Sequence, residues 1–101
     1  MPMKRLEKLN TRECLWVYIL RILSEGPAHG YSIRESVRKK FGFSPGTVTA
    51  YKVLYLLGRE GYVSKRPEGR KRIYSITPAG REALKKAAGF YRSMAEKLEA
   101  R

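Results

Sequence analysis

The sequence predicts a mainly α-helical domain with one small β-hairpin, an α+β arrangement, on three observations. Apolar residues recur at helical spacing over most of the chain, and only residues 62–76 switch to strand-like alternation around Pro67-Glu68-Gly69-Arg70. Start and stop signals (Gly26-Pro27, Ser44-Pro45, Gly61, Thr77-Pro78) bracket the helical runs. The 101 residues suit one domain, and a hydrophobic content of 43% is enough for a packed core.

The first predicted helix starts at Asn10 or Thr11 and runs to Ser24, because Asn10 with Glu13 three positions on forms a capping-box pattern. Leu15, Trp16, Val17, Ile19, Leu20, Ile22 and Leu23 leave few polar positions. This helix is therefore expected to be covered on two sides, by the core and by a second surface such as another subunit. The second helix is expected from His29 or Gly30 to Phe41, with Tyr31, Ile33, Val37 and Phe41 on its repeat and Arg34, Arg38, Lys39 and Lys40 outside. The third opens with Ser44 as N-cap and Pro45 as first helical residue, and closes on Gly61. Two short helices around a tight turn with Gly42 have the shape of a helix-turn-helix.

Residues 62–66 and 71–76 then read as two strands, and the hairpin tip carries Lys65, Arg66, Arg70, Lys71 and Arg72. A helix-turn-helix followed by a basic hairpin is a winged helix-turn-helix. Thr77-Pro78 opens a fourth helix, expected to reach the C-terminus, in which Leu84, Ala88, Tyr91, Met94 and Leu98 recur at three-and-four spacing. That seam predicts a C-terminal dimerisation helix, residues 77–101, joined to a winged-helix unit, residues 1–76. Leu15, Trp16 and Ile19 of the first helix complete the candidate dimer interface; the plainer alternative is that the fourth helix packs back on its own chain.

Charge narrows the function. The formal net charge is +13, and the surplus is concentrated. Arg38, Lys39, Lys40, Lys52, Arg59, Lys65, Arg66, Arg70, Lys71 and Arg72 face only Glu60 and Glu68 over the same stretch. Such a surplus attracts polyanions, and nucleic acid is the abundant one. The chain lacks Asp and Gln and has one Asn, which fits a heat-loving source and accounts for high charge content but not for its sign.

One cysteine, Cys14, and one histidine, His29, exclude an internal disulfide and a zinc cage. His29 is expected to cap the second helix with its ring bonded to backbone, and Cys14 to be a small buried residue. No catalytic triad, paired-carboxylate or phosphate-loop pattern occurs, so neither an enzyme nor a cofactor is expected. The charged residues 1–9 and the short apolar run 15–20 predict no signal peptide, no membrane partner, and a cytoplasmic, nucleoid-associated protein.

The reading chemistry is expected where the third helix begins. Thr47, Thr49 and Lys52 supply polar side chains, Ser44 and Gly46 permit close approach, and Lys39 and Lys40 flank on phosphates. Arg66, Arg70, Lys71 and Arg72 are expected along the backbone or in a minor groove. Val53 to Leu57 is expected to be structural, and Tyr31, Tyr51, Tyr62 and Tyr74 to be core.

Three stretches also resemble the PadR family of winged-helix transcription regulators. Gly26–Ile33 (GPAHGYSI) resembles the opening of its second helix, and Ser44–Val48 (SPGTV) its recognition-helix start. Gly58–Val63 (GREGYV) with Arg70–Leu84 (RKRIYSITPAGREAL) resembles the recognition-helix exit, wing and start of the dimer helix. The segment from Ser44 to Gly61 is somewhat longer than the common form, and the single C-terminal helix resembles the family's shorter branch. The resemblance implies a homodimeric, sequence-specific regulator of double-stranded DNA, in most relatives a repressor. It also implies a small aromatic effector between subunits, with Trp16, Tyr18, Phe90 and Tyr91 as lining candidates and aromatic core as the plainer reading. Charge alone would also suit a non-specific architectural DNA-binding protein, and winged helices also serve as protein-interaction modules.

Overall fold

The computed structural model describes residues 2–100. Its elements are α1 (Pro2–Asn10), a 3-10 turn (Arg12–Cys14), α2 (Leu15–Ser24), β1 (Ala28–His29), α3 (Gly30–Phe41), α4 (Thr47–Arg59), β2 (Val63–Glu68), β3 (Lys71–Ile76) and α5 (Pro78–Glu99). The three strands form one antiparallel sheet in the order β1-β3-β2. The mainly helical fold with a small hairpin is thus the expected one, with two additions: α1 and the two-residue strand β1.

Helix α2 is the centre of the core. Leu15, Ile19, Ile22 and Leu23 recur at i, i+4, i+7 and i+8, and with Leu20 they form one buried stripe. Ile33 and Val37 of α3, Ala50, Leu54 and Leu57 of α4, Val63 and Tyr74 close against it. Only Trp16 and Arg21 of α2 are exposed, so the helix is covered on more than one side, by elements of its own chain. The flank of α2 is covered from its own chain, by Ala83 and Leu84 of α5 and by Tyr18 meeting Phe41 and Phe43 edge-on at 4.7 and 5.1 Å.

Two start signals act differently from expectation. Asn10 ends α1 rather than opening α2: its amide donates to the Leu6 carbonyl at 2.9 Å, a bond back into the preceding turn. Helix α4 begins at Thr47 with extended Gly46 as its N-cap residue, two positions after Ser44. Pro45 is buried and its carbonyl accepts from Arg34 Nε at 3.0 Å, so residues 44–46 stay extended and belong to the turn. The C-terminal signals hold. Gly42 (φ 78°) stops α3. Gly61 (φ 85°) follows α4, with Tyr62 N–H bonded to the Leu57 carbonyl and Gly61 N–H to that of Gly58, the paired bonds of a Schellman motif.

Thr77 anchors the wing root. Its hydroxyl accepts from Gly80 N–H at 3.1 Å as the N-cap of α5 and donates to the Gly61 carbonyl at 2.6 Å, while its N–H bonds the Tyr62 carbonyl. A methyl group on Gly80 would overlap the Tyr62 carbonyl oxygen, so α5 crosses the end of α4 at the closest approach that only glycine permits. In β2 only Val63 is buried, and the hairpin from Ser64 to Arg72 stands clear of the core. No helix among the described residues is long and apolar enough to cross a membrane.

Candidate nucleic-acid interface

Ala50, Leu54 and Leu57 fix the inward face of α4. At 100° per residue the face opposite is Val48, Lys52, Tyr55 and Arg59, with Tyr51 beside it and Thr47 and Thr49 on its two flanks. The exposures agree: Val48 is 82% exposed and Tyr55 60%, and Thr47, Thr49, Tyr51, Lys52 and Arg59 are all exposed. Gly46 adds no side chain at the N-cap, so the N–H groups of the first turn are left without a side-chain partner among the described residues.

The wing borders the same face. Tyr51, Tyr55 and Arg59 of α4 line one groove with Lys65 of β2 and Arg72 of β3, over a floor of Leu54, Val63 and Tyr74. Ion pairs among the described residues join Arg21 and Lys40 to Glu25 and Arg38 to Glu35, and the only other carboxylate contact to a basic side chain there is that of Glu68 with the His29 ring. Among those residues Lys52, Arg59, Lys65, Arg66, Arg70 and Arg72 therefore carry no carboxylate partner, and their potential is open to a polyanion. The cations at the end of α3 differ. Lys40 Nζ lies 2.8 Å from Glu25 Oε2, and hydrogen bonding from Lys40 holds that carboxyl below its ordinary range. Arg38 does the same to Glu35.

A third cluster joins α3 to the wing. His29 and Tyr31 stack at 5.5 Å with their planes 10° apart, Lys71 Nζ lies 4.6 Å from the Tyr31 ring centroid, and His29 Nε2 lies 3.4 Å from Glu68. A Cβ on Gly30 would come within 2.6 Å of the Tyr51 ring, so the start of α3 is packed against the outward aromatic of α4.

A family model described as the transcriptional regulator PadR-like family matches residues 19–86, from the middle of α2 into the first turns of α5. This chain belongs to the PadR-like family. Among solved structures, a transcriptional regulator from Clostridium thermocellum superposes with a TM-score of 0.78 at 26% identity, covering 86% of this chain and 88% of that one. Bacillus subtilis PadR, solved in complex with operator DNA, gives 0.66 at 27% identity over 73% of this chain and 46% of that one. A curated relative, an uncharacterized 37.1 kDa protein in a transposon of Streptomyces fradiae, is 37% identical over 71 residues; the match spans 69% of this chain and 21% of that protein's length.

Within this PadR-like fold the expected reading residues fall in three places. Ser44, Gly46, Thr47, Thr49 and Lys52 lie together, exposed, in the turn and first half of α4, and Arg66, Arg70, Lys71 and Arg72 lie exposed on the wing. Lys39 and Lys40, in the last turn of α3, line a separate hollow with Glu25, Pro27 and Ala28, where Lys40 is paired with Glu25. The second half of α4 is not all structural, since Tyr55 and Leu56 are exposed, and Tyr31 and Tyr51 are exposed rather than core. His29 does not cap α3 through its ring: it pairs with β3 through its backbone, and its Nδ1 is buried without a partner among the described residues. Val48, Tyr51, Tyr55 and Arg59 escape the sequence reading, which assigns Tyr51 to the core and residues 53–57 to structure, although their spacing of three and four is visible. Arg34 carried no sequence signal for its bond to Pro45.

The expected dimer residues also divide. Leu15 and Ile19 are 2% and 0% exposed inside this chain's own core and are closed to a partner, and Leu84 packs half-buried on the same core. Ala88, Tyr91, Met94 and Leu98 are exposed, and the last three line an apolar groove with Leu6, Tyr18 and Phe90. Helix α1 supplies the other wall of that groove and buries none of its own residues. Trp16 lies elsewhere, in a hollow with Val53, Leu56 and Tyr62, so the four aromatic candidates for an effector site do not share one space. Partial desolvation of the Tyr91 hydroxyl, with the Cys14 thiol beside it, pushes it up to about 12.

Proposed function

We propose that this chain is a homodimeric regulator that binds double-stranded DNA at specific sequences and acts as a repressor. The observation that carries the reading is that the exposed stripe of α4 and the unpaired cations of the wing border one groove. In this assignment α4 enters a major groove with its N-terminal end leading, Thr47, Thr49 and Lys52 reach base edges, and the first-turn N–H groups take a phosphate. Arg66, Arg70 and Arg72 follow the phosphate backbone or enter the adjacent minor groove. The solved operator complex of the Bacillus subtilis relative supports the same partner for this chain. Repression follows the family resemblance.

Residues 1–76 form the reader in this proposal, and residues 77–101 form the dimerisation element together with α1. Nine-residue α1 is too short to be stable alone, and its Met3, Leu6 and Leu9 are exposed, Leu6 across the groove from Phe90, Met94 and Leu98. A second copy covering both apolar faces supplies the missing burial. A two-fold pair then offers two reading helices to half-sites one helical turn, about 34 Å, apart.

The test is fluorescence anisotropy on the DNA upstream of the protein's own gene and on a shuffled duplex, each at two salt concentrations. A preference of about a thousandfold that survives at the higher salt is expected. Equal affinities that collapse together would make the protein an architectural DNA coat instead.

A further inference from the structure

Resting on the assignment of α4 as the reading helix, we infer that this protein selects its site chiefly through thymine methyl groups, with Val48 as the contacting residue. Val48 is the centre of the outward stripe and is 82% exposed on a helix whose neighbouring positions are charged or hydroxyl-bearing. A β-branched residue lowers helix propensity, and its methyls stand in water with nothing among the described residues to cover them. Gly46 leaves the approach open, since the space where its side chain would stand holds only Thr49 Oγ1 at 3.8 Å. Thr47 and Thr49 add a methyl on each flank.

What α4 lacks points the same way. Between Thr47 and Gly58, which leaves out only Arg59 in the last turn of α4, there is no Arg, Asn, Gln, Asp or Glu, the side chains that pair most specifically with guanine, adenine or cytosine in the major groove. Lys52 is the one charged group in that span, and it fits a phosphate or a guanine edge. The remaining base feature that an exposed valine distinguishes is the C5-methyl of thymine. The cations around the stripe, Lys52, Arg59, Lys65 and Arg72, fit a polyanionic partner rather than an apolar protein surface.

The probe is a duplex selected by the full-length protein from a randomised pool, remade with each thymine replaced in turn by uracil, which removes the methyl alone. At one or more positions per half-site the wild type is expected to lose roughly fourfold in affinity, the effect of burying one methyl-sized group. Val48→Ala is expected to bind the thymine and uracil forms alike at that position, while Val48→Thr, which keeps one methyl, falls between. Because Val48 is on the surface, both variants unfold with the wild type, which a thermal melt checks. Uracil tolerated at every position, or an unchanged thymine-to-uracil ratio in Val48→Ala, overturns the inference while leaving sequence-specific binding intact. A pool that never enriches overturns the reading of α4 itself, and this inference with it.

Discussion

Replacing Arg66, Arg70 and Arg72 by Ala tests the electrostatic map most directly. All three are exposed, none is paired with a carboxylate among the described residues, and beyond Val63 no residue of β2 is buried, so the fold does not depend on them. Lys71 is left in place because it lies over the Tyr31 ring and holds the wing to α3. Each neutralised phosphate contributes a slope of about −0.9 in log affinity against log salt. Three contacts per protomer, doubled in a homodimer, make a slope change of roughly five. Between about 50 and 200 mM salt the wild type should therefore lose on the order of a thousandfold more affinity than the variant. Titrations of one duplex at four salt concentrations give both slopes, and the shuffled duplex should show the same change, since phosphate contacts carry no sequence information. An unchanged slope in a folded triple variant would show that the wing does not touch the backbone and would refute the reasoning.

Three further outcomes follow from the packing. Gly80→Ala places a methyl group on the Tyr62 carbonyl and should destabilise the protein by about 1–3 kcal/mol in denaturant titration, whereas Gly89→Ala, with open space around it, should not destabilise it. Met94→Glu with Leu98→Glu puts two charges on the exposed end of the α1–α5 groove and should give a folded monomer by light scattering; a persisting dimer would place the interface elsewhere. The raised Tyr91 hydroxyl means that the folded protein holds this proton more tightly than the unfolded chain does, so its contribution is complete below about pH 10 and is lost as pH rises toward about 12. Denaturant midpoints across that interval should fall, and Tyr91→Phe should make the fall shallower but not remove it, because burial also raises Tyr18.

Helix ends are legible along the chain, and two of the helix starts are not. Gly42 and Gly61 stop helices because a positive φ is a local property of one residue, and Thr77-Pro78 caps α5 through a bond three residues away. Asn10 and Ser44 are residue types that serve equally at the end of one helix, in a turn, or at the start of the next. What decided between these uses was remote: the Leu6 carbonyl within reach of Asn10, and Arg34 holding the Pro45 carbonyl eleven residues away in sequence. Strand β1 is two residues long and exists only because Ala28 and His29 meet Tyr74 and Ile73.

By itself the sequence determined the helix-turn-helix with its basic hairpin and the cationic surplus that α4 and the wing carry, since periodicity, turn chemistry and net charge are written locally and add along the chain. Only the tertiary structure decided which side each residue serves. It enclosed Leu15 and Ile19 in the chain's own core, left Trp16 and the groove aromatics in separate hollows, neutralised Lys40 with Glu25, and turned Val48 and Tyr55 outward beside the wing. The physical reason is that burial and ion pairing are properties of neighbours in space. An apolar helix shows its inward and outward faces only once the elements packed against it are in place.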